Sequence, residues 1–265
     1  MKLFYRKIGT GQPLIILHGL FGQSDNWNTL GKQFSEQGFE VYLVDLRNHG
    51  NSPHSDVWNY QVMSDDVFEL ITDAGLLPNK NIILLGHSMG GKVAMQFAIQ
   101  HPDLLSKIIV VDIAPKFHLP DNQLVLQALN AIDLKEMKTR KEVEVVLSKY
   151  IADNGTKQFL LKNIYWKESK TNPDSIGTLE WRFNLKTIMQ EIKNVSEAIV
   201  SDTPCVITAL FIRGAKSDYI SEYDFKLIKD VFTNAKIETI EGAGHWVHAD
   251  KPKEFYEHVL SFINK

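Results

Sequence analysis

The stretch from Asn81 to Ala94 constrains the fold of this chain more than any other. It begins with a continuous apolar run, Ile82 to Leu85, which has the length and composition of a strand buried on both faces. The run leads into Gly-His-Ser-Met-Gly at positions 86–90, and apolar residues at helical spacing follow. A strand, a tight turn and a helix therefore hold Ser88 at their apex, which is the pattern of the G-x-S-x-G nucleophile elbow.

The residues around this serine suit that turn. Gly86 and Gly90 carry no Cβ, so the backbones on either side can approach closely. The start of the following helix contributes unpaired N–H groups and the positive end of the helix dipole. The alternative is a glycine-rich turn of a dinucleotide-binding fold, but that fold needs the spacing G-x-G-x-x-G, which is not found here.

Strands and helices alternate on both sides of the elbow. This order predicts an α/β fold with a mainly parallel central sheet and helices on both faces. Ligands of such sheets bind at the carboxyl ends of the strands. The predicted strands are Lys2–Ile8, Pro13–Leu17, Glu40–Val44, Asn81–Leu85, Ile108–Val111, Val206–Arg213 and Lys236–Ile240.

The pattern changes between residues 117 and 203, where apolar residues recur at helical spacing and no strand is evident. We therefore expect residues 1–116 and 204–265 to form the α/β core. Residues 117–203 are expected to form a helical lid inserted over the strand ends.

Composition excludes several classes of function. The 265 residues are 44% apolar and 23% charged, as in ordinary globular proteins. The net charge of −3 and the lack of a basic run argue against nucleic acid as a partner. Cys205 is the only cysteine, so neither an internal disulfide nor a thiolate metal site is possible. No apolar leader or membrane span is evident, and we expect a cytoplasmic monomer or homodimer.

A serine hydroxyl is a weak nucleophile at neutral pH and needs a base. His245 lies in a glycine-flanked loop after the last predicted strand, and the chain order serine, acid, histidine is that of α/β-type hydrolytic triads. His87 is predicted to be structural, because its side chain points away on the tight turn. His18 and His49 are predicted to support the floor of a pocket, since one base suffices.

The base in turn needs a carboxylate that fixes its tautomer and stabilises the imidazolium. Asp112 follows the strand after the elbow, and Asp218 lies in the loop after the first strand beyond residue 203. Either aspartate could instead cap a turn or a helix. These residues alone leave both candidates open.

Backbone N–H groups should stabilise the oxyanion. The expected donors are Met89, directly after the nucleophile, and Leu20, after the second predicted strand, with Phe21 as the alternative second donor. Each donor contributes about 2.7–4 kcal/mol to transition-state stabilisation in enzymes of this kind. An apolar substrate pocket is expected, bounded by Phe21, Tyr219 and Trp246 together with side chains of residues 117–203.

Taken together, these motifs resemble the α/β-hydrolase superfamily over nearly the full chain, and YbfF-type bacterial esterases and their eukaryotic homologues more closely. The resemblance implies the α/β-hydrolase fold. The segments that carry it are His18–Gly22 with Asn26 and Trp27, Asp45–Pro53, Gly86–Lys92, Val111–Pro115, Trp181–Asn184 and Gly244–Trp246.

The resemblance also bears on the acid. In the wider superfamily an aspartate usually lies three residues after a glycine in the loop that follows the post-lid strand. Counted from Gly214, that position is Ser217. YbfF-like members resemble this chain in placing an aspartate after the preceding strand, so Asp112 is favoured over Asp218. Ser217 could hydrogen-bond to the aspartate–histidine pair.

The resemblance implies a serine carboxylesterase that hydrolyses small-molecule esters, or acyl thioesters, through an acyl-enzyme on Ser88. No metal or organic cofactor is expected. Lys92 and Arg182 could meet an acidic substrate, but lid anchoring or surface solvation is the favoured interpretation. Two alternatives stay open: a lyase of the menaquinone-synthase type that uses the same triad, and a non-catalytic ligand receptor of the same fold.

Overall fold

A seven-stranded sheet forms the centre of the computed structural model, which describes residues 1–77, 81–119, 123–168 and 177–265. Its strands are β1 (Tyr5–Ile8), β2 (Gln12–Leu17), β3 (Phe39–Val44), β4 (Ile82–His87), β5 (Leu105–Val111), β8 (Thr208–Gly214) and β9 (Ala235–Ile240). The spatial order is β1-β3-β2-β4-β5-β8-β9. Only the edge strand β1 runs antiparallel to its neighbour, so the predicted mainly parallel sheet is confirmed.

The strand register brings the carboxyl ends of the central strands to one edge of the sheet. Leu17 of β2 pairs with Gly86 of β4, and Val111 of β5 pairs with Ile212 of β8. The residues that directly follow these strands are therefore neighbours, although they lie far apart in the sequence.

Ten α-helices are found in the described part of the chain: α1 (Asn28–Ser35), α2 (Tyr60–Asp73), α3 (Met89–Gln100), α4 (Gln123–Asn130), α5 (Arg140–Leu147), α6 (Asn154–Leu161), α7 (Leu185–Glu191), α8 (Asp224–Val231), α9 (Val247–Asp250) and α10 (Pro252–Ile263). Short 3₁₀ helices span Ser24–Trp27 and Pro102–Leu104. None of the described helices is long and apolar enough to cross a bilayer.

Successive strand side chains enter two different apolar layers, as the two-residue period of a strand requires. In β2, Leu14 and Ile16 pack with α1 and α10 on one face of the sheet. Ile15 and Leu17 pack with α2 and α3 on the other face. Both faces are covered, which explains why the central strands are continuous apolar runs rather than alternating ones.

The segment between β5 and β8 contains α4 to α7 and also a two-stranded antiparallel sheet of β6 (Ile164–Lys167) and β7 (Thr178–Trp181). The prediction of a purely helical segment was therefore wrong at this point. Helix α6 ends at Leu161, and the apolar residue Ile164, read as part of that helix, begins β6. Cross-strand pairs of an aromatic and an aliphatic residue, such as Ile164 with Trp181 and Trp166 with Leu179, stabilise the two strands.

Candidate active site

Ser88 lies between the end of β4 and the start of α3, with φ 52° and ψ −118°. Such a backbone conformation is rare for a residue with a Cβ and persists only where the surrounding structure stabilises it. The Ser88 N–H donates to the carbonyl of Val111 at 2.9 Å. A Cβ on Gly86 would lie 2.1 Å from the carbonyl oxygen of Gly90, which explains why the turn requires glycine there.

Three side chains from distant parts of the chain meet at this turn. The Ser88 Oγ lies 3.1 Å from Nε2 of His245, and Nδ1 of His245 lies 2.8 Å from Oδ2 of Asp112. When Nδ1–H donates to the carboxylate, Nε2 carries a lone pair and can accept the proton of the serine hydroxyl. This is the geometry that a nucleophile, its base and an orienting acid require.

Asp112 is fully buried and occupies a left-handed conformation with φ 51°. Besides His245, it accepts hydrogen bonds from the backbone N–H of Gly214 at 3.0 Å, and from the hydroxyl of Ser217. Asp218, the other sequence candidate for the acid, is exposed. The structure therefore brings Asp112 to the imidazole and places Asp218 at the surface.

The two expected oxyanion donors border the cavity beside Ser88. Met89 is the first residue of α3, and Leu20 follows β2. The alternative donor, Phe21, has φ 60°, and its N–H donates to Nε2 of His49 at 3.2 Å. Because the Phe21 N–H is bound by His49, Leu20 is the better placed of the two alternative donors.

Two buried histidines support the loop that carries Leu20. His18 donates from Nδ1 to the carbonyl of Gly19 at 2.8 Å and accepts the Leu46 N–H on Nε2 at 3.0 Å. His49 donates from Nδ1 to the carbonyl of Arg47 at 2.9 Å. Burial lowers the pKa of His18 to about 4 and that of His49 to about 3, so both rings stay neutral. Neutral imidazoles can accept the backbone N–H groups that imidazolium ions could not.

His87 supports the base rather than replacing it. Its Nε2–H donates to the backbone carbonyl of His245 at 2.9 Å. Burial holds the pKa of His87 well below its ordinary value, so the ring is neutral. A Cβ on Gly19 would lie 2.8 Å from its Nδ1, which shows how tightly the ring is enclosed. His248, also buried, stacks on Trp27 with ring centroids 4.1 Å apart.

A cavity of about 320 Å³ opens above Ser88. Phe21, Tyr219 and Trp246, the three residues expected in the pocket, line it. The sequence indicated that side chains of residues 117–203 also bound the pocket, but it identified neither Tyr60 nor the individual residues of this segment, because periodicity does not show where the side chains of these helices point. The wall from this segment consists of His118, Leu124, Val125, Tyr150, Ile151, Ala152, Asp153, Thr156, Phe159, Leu160 and Val195.

The two basic residues near the site are held by other parts of the protein. The Lys92 ammonium donates to the carbonyls of Ser196 at 3.2 Å and Glu197 at 2.6 Å. Burial lowers the pKa of Lys92 to about 8. Arg182 donates to the side chain of Asn51 at 2.8 Å. Both contacts join the segment between β5 and β8 to the sheet domain, which is the anchoring role favoured from the sequence.

Within the described residues, no group of three or more histidine, cysteine, aspartate or glutamate side chains is arranged to hold a metal ion.

A family model for the α/β-hydrolase fold matches residues 12–252. The chain belongs to the α/β-hydrolase family. It is 37% identical to the sn-1-specific diacylglycerol lipase ABHD11 of Mus musculus, over 94% of this chain and 80% of that protein. It is 33% identical to the esterase YbfF of Escherichia coli, over 95% of this chain and 93% of that protein.

Among solved structures, this α/β-hydrolase is similar to a marine microorganism esterase, with a TM-score of 0.92 and 44% identity over 99% of both chains. The resemblance to YbfF-type esterases is thereby confirmed. This α/β-hydrolase is a serine hydrolase of the carboxylic ester class.

Proposed function

We propose that this α/β-hydrolase is a carboxylesterase that works through an acyl-enzyme on Ser88, with His245 as base and Asp112 as acid. The observation that carries the proposal is the continuous hydrogen-bonded chain from the Ser88 hydroxyl through the His245 ring to the Asp112 carboxylate, at 3.1 Å and 2.8 Å. Asp112 fixes the tautomer in which Nε2 can act as a base.

In the acylation step, Oγ of Ser88 attacks the ester carbonyl carbon while its proton moves to Nε2 of His245. The carbonyl π electrons move onto oxygen, and the resulting oxyanion accepts hydrogen bonds from the N–H groups of Leu20 and Met89. The intermediate collapses, the bond to the alcohol oxygen breaks, and the alcohol leaves with the proton from Nε2. The acyl group stays on Ser88.

Deacylation repeats these steps with water. Nε2 of His245 takes a proton from the water molecule, whose oxygen attacks the acyl carbonyl. Collapse of the second intermediate returns the proton to Oγ of Ser88 and releases the carboxylic acid.

Residues 117–203 act in this proposal as a cap that shapes the substrate cavity. Side chains from the described part of this segment line the cavity beside Ser88, and Lys92 hydrogen-bonds to the backbone near the end of the segment. The largely apolar lining and the volume of about 320 Å³ favour an ester or thioester with a small apolar acyl group.

The deciding experiment measures turnover of p-nitrophenyl esters, from acetate to laurate, by the wild-type enzyme and by Ser88→Ala. A fluorophosphonate probe, followed by mass spectrometry of the digested protein, locates the modified residue. We expect the wild-type enzyme to hydrolyse the shorter esters and to carry a covalent adduct on Ser88. In Ser88→Ala we expect both to be lost, with little change in melting temperature. Retained turnover in Ser88→Ala would remove this serine from the mechanism.

The same data separate the alternatives. A lyase with the same triad would react with the fluorophosphonate on Ser88 but would not turn over the p-nitrophenyl esters. A receptor would bind a ligand in the cavity without any turnover. Either result would replace the esterase proposal.

A further inference from the structure

Tyr219 lies face to face with the imidazole of His245. The centroids of the two rings are 3.7 Å apart, and their planes differ by 23°. The other rings around His245 do not stack on it in this way: His87 lies at 4.8 Å with a tilt of 42°, and Trp246 at 6.1 Å with a tilt of 71°. Tyr219 is thus the ring whose π face covers the imidazole.

The turn that carries Tyr219 also holds the acid. The Ser217 hydroxyl donates to Oδ2 of Asp112, and its oxygen accepts the backbone N–H of Tyr219 at 3.3 Å. One short turn after β8 therefore sets the position of the carboxylate at the edge of the imidazole and of the aromatic ring on its face.

The face of an aromatic ring carries negative electrostatic potential and attracts a cation placed over it. The ring of His245 becomes such a cation each time Nε2 takes a proton from Ser88. An aromatic face in contact with His245 therefore binds the positively charged ring of the transition state more strongly than the neutral ring of the ground state. An interaction that is stronger in the transition state accelerates the chemical step.

We infer that Tyr219 is a positioning residue whose ring face holds the His245 imidazole in line with Ser88 and stabilises the imidazolium formed during acyl transfer. The inference rests on the proposed function, because it assigns Tyr219 a role in the proton transfer of that mechanism.

The polar and titratable groups around the His245 imidazole differ from Tyr219 in how they contact it. Asp112 is the carboxylate at its edge, and Ser88 and the His87 ring are its other polar neighbours. His118 lies on Tyr219, with ring centroids 4.1 Å apart. Burial lowers the pKa of His87, His118 and His248, so none of these neighbouring rings adds a competing positive charge.

The test compares Tyr219→Leu, which keeps an apolar side chain but removes the π face, with Tyr219→Phe, which keeps the ring. In Tyr219→Leu we expect kcat to fall by about 2- to 30-fold, the range that a cation–π contact provides. We also expect the acid limb of the kcat/KM profile to move by about 0.4 to 1.5 pH units to lower pH, since the protonated imidazole has lost a stabilising contact. Tyr219→Phe should recover most of both losses.

Phe159→Leu is the matched control for a change in the cavity wall. Phe159 lines the same cavity and contacts Trp246, with ring centroids 4.4 Å apart. Its substitution should change KM and leave the acid limb in place. A Tyr219→Leu variant that behaves like Phe159→Leu would show that Tyr219 only shapes the cavity, and would overturn the inference.

A second measurement keeps the inference testable if Tyr219→Leu fails to fold. Phenylalanine and its mono-, di- and trifluorinated analogues are incorporated at position 219, which weakens the π face stepwise with little change in shape. We expect kcat to fall with each added fluorine. A flat series in an active enzyme would refute this inference alone, whereas an inactive wild-type enzyme would refute the proposed function.

Discussion

Ser217 and His245 share one acceptor, because the Ser217 hydroxyl and Nδ1 of His245 both hydrogen-bond to Oδ2 of Asp112. Ser217 lies three residues after Gly214, the position where the wider superfamily usually has its acid. Here that position supplies a hydrogen-bond donor, and the carboxylate comes from the end of the neighbouring strand, β5. The register of β5 with β8 makes the two positions neighbours.

Substitution of Asp112 tests this assignment of the acid. Asp112→Asn keeps the size of the side chain but can hold the imidazole in the wrong tautomer, so we expect kcat for a p-nitrophenyl ester to fall about 10³- to 10⁴-fold. Asp218→Asn is the control, since Asp218 is exposed, and should change kcat little. The reverse ranking of the two variants would assign the acid to Asp218.

Ser217→Ala tests the support of the carboxylate. The variant removes one of three hydrogen bonds to a buried carboxylate, and hydrogen bonds to charged groups contribute about 1.5–3 kcal/mol. We expect the free energy of unfolding, measured in urea, to fall by about that amount, and kcat to fall by up to about 10- to 150-fold where the bond also positions the acid in the transition state. An unchanged kcat would limit Ser217 to a structural role in the turn.

Much of the sheet and of the elbow was predictable because both depend on local sequence. The central strands are buried on both faces and are therefore continuous apolar runs, such as Ile82 to Leu85. The elbow needs glycine where two backbones collide, and Gly86 and Gly90 mark those positions. The hairpin of β6 and β7 was missed because four-residue strands carry too little periodicity to be separated from a preceding helix.

The site residues could be proposed from their places after strands and from their order in the chain, including His245 in the loop after β9. Ser88 and Asp112 follow β4 and β5, and the parallel order of the strands brings their ends together. The hydrogen bond of His49 to the Phe21 N–H was harder to predict from the sequence, because it joins two loops that are distant along the chain. The cavity wall from residues 117–203 depends on how that segment is placed over the sheet, which no local pattern encodes.

The hydrogen bond between Phe21 and His49 gives a third prediction. His49→Leu leaves the buried N–H of Phe21 without its acceptor and lets the loop that carries Leu20 shift. We expect kcat to fall by about 10- to 100-fold with a small change in KM, since a displacement of about 1 Å at a reacting centre costs about that much. His49→Gln, whose side-chain oxygen can accept the N–H, should recover part of the loss. Equal kcat values for the wild type and His49→Leu would show that His49 does not position the loop that carries Leu20.

The buried neutral histidines predict a loss of stability in acid. Burial lowers the pKa of His18 to about 4, and that of His49 and His248 to about 3. In the unfolded chain the pKa of a histidine is about 6.5. Below that value the unfolded chain binds more protons than the folded one, so the free energy of unfolding must fall as pH falls. Each such histidine lowers the free energy of unfolding by about 1.4 kcal/mol for every unit that the pH falls, between about pH 6 and the pKa of that histidine in the folded protein.

Urea unfolding of the wild type and of His49→Gln at a series of pH values from 7.5 to 4.5 measures this effect. The difference in the free energy of unfolding between the two proteins should change by about 1.4 kcal/mol per pH unit below about pH 6, because glutamine cannot take the proton. His54→Gln is the matched control for the exchange of histidine for glutamine at an exposed position. A constant difference for His49→Gln would mean that His49 takes up its proton in the folded protein, and its ring could then no longer accept the Phe21 N–H.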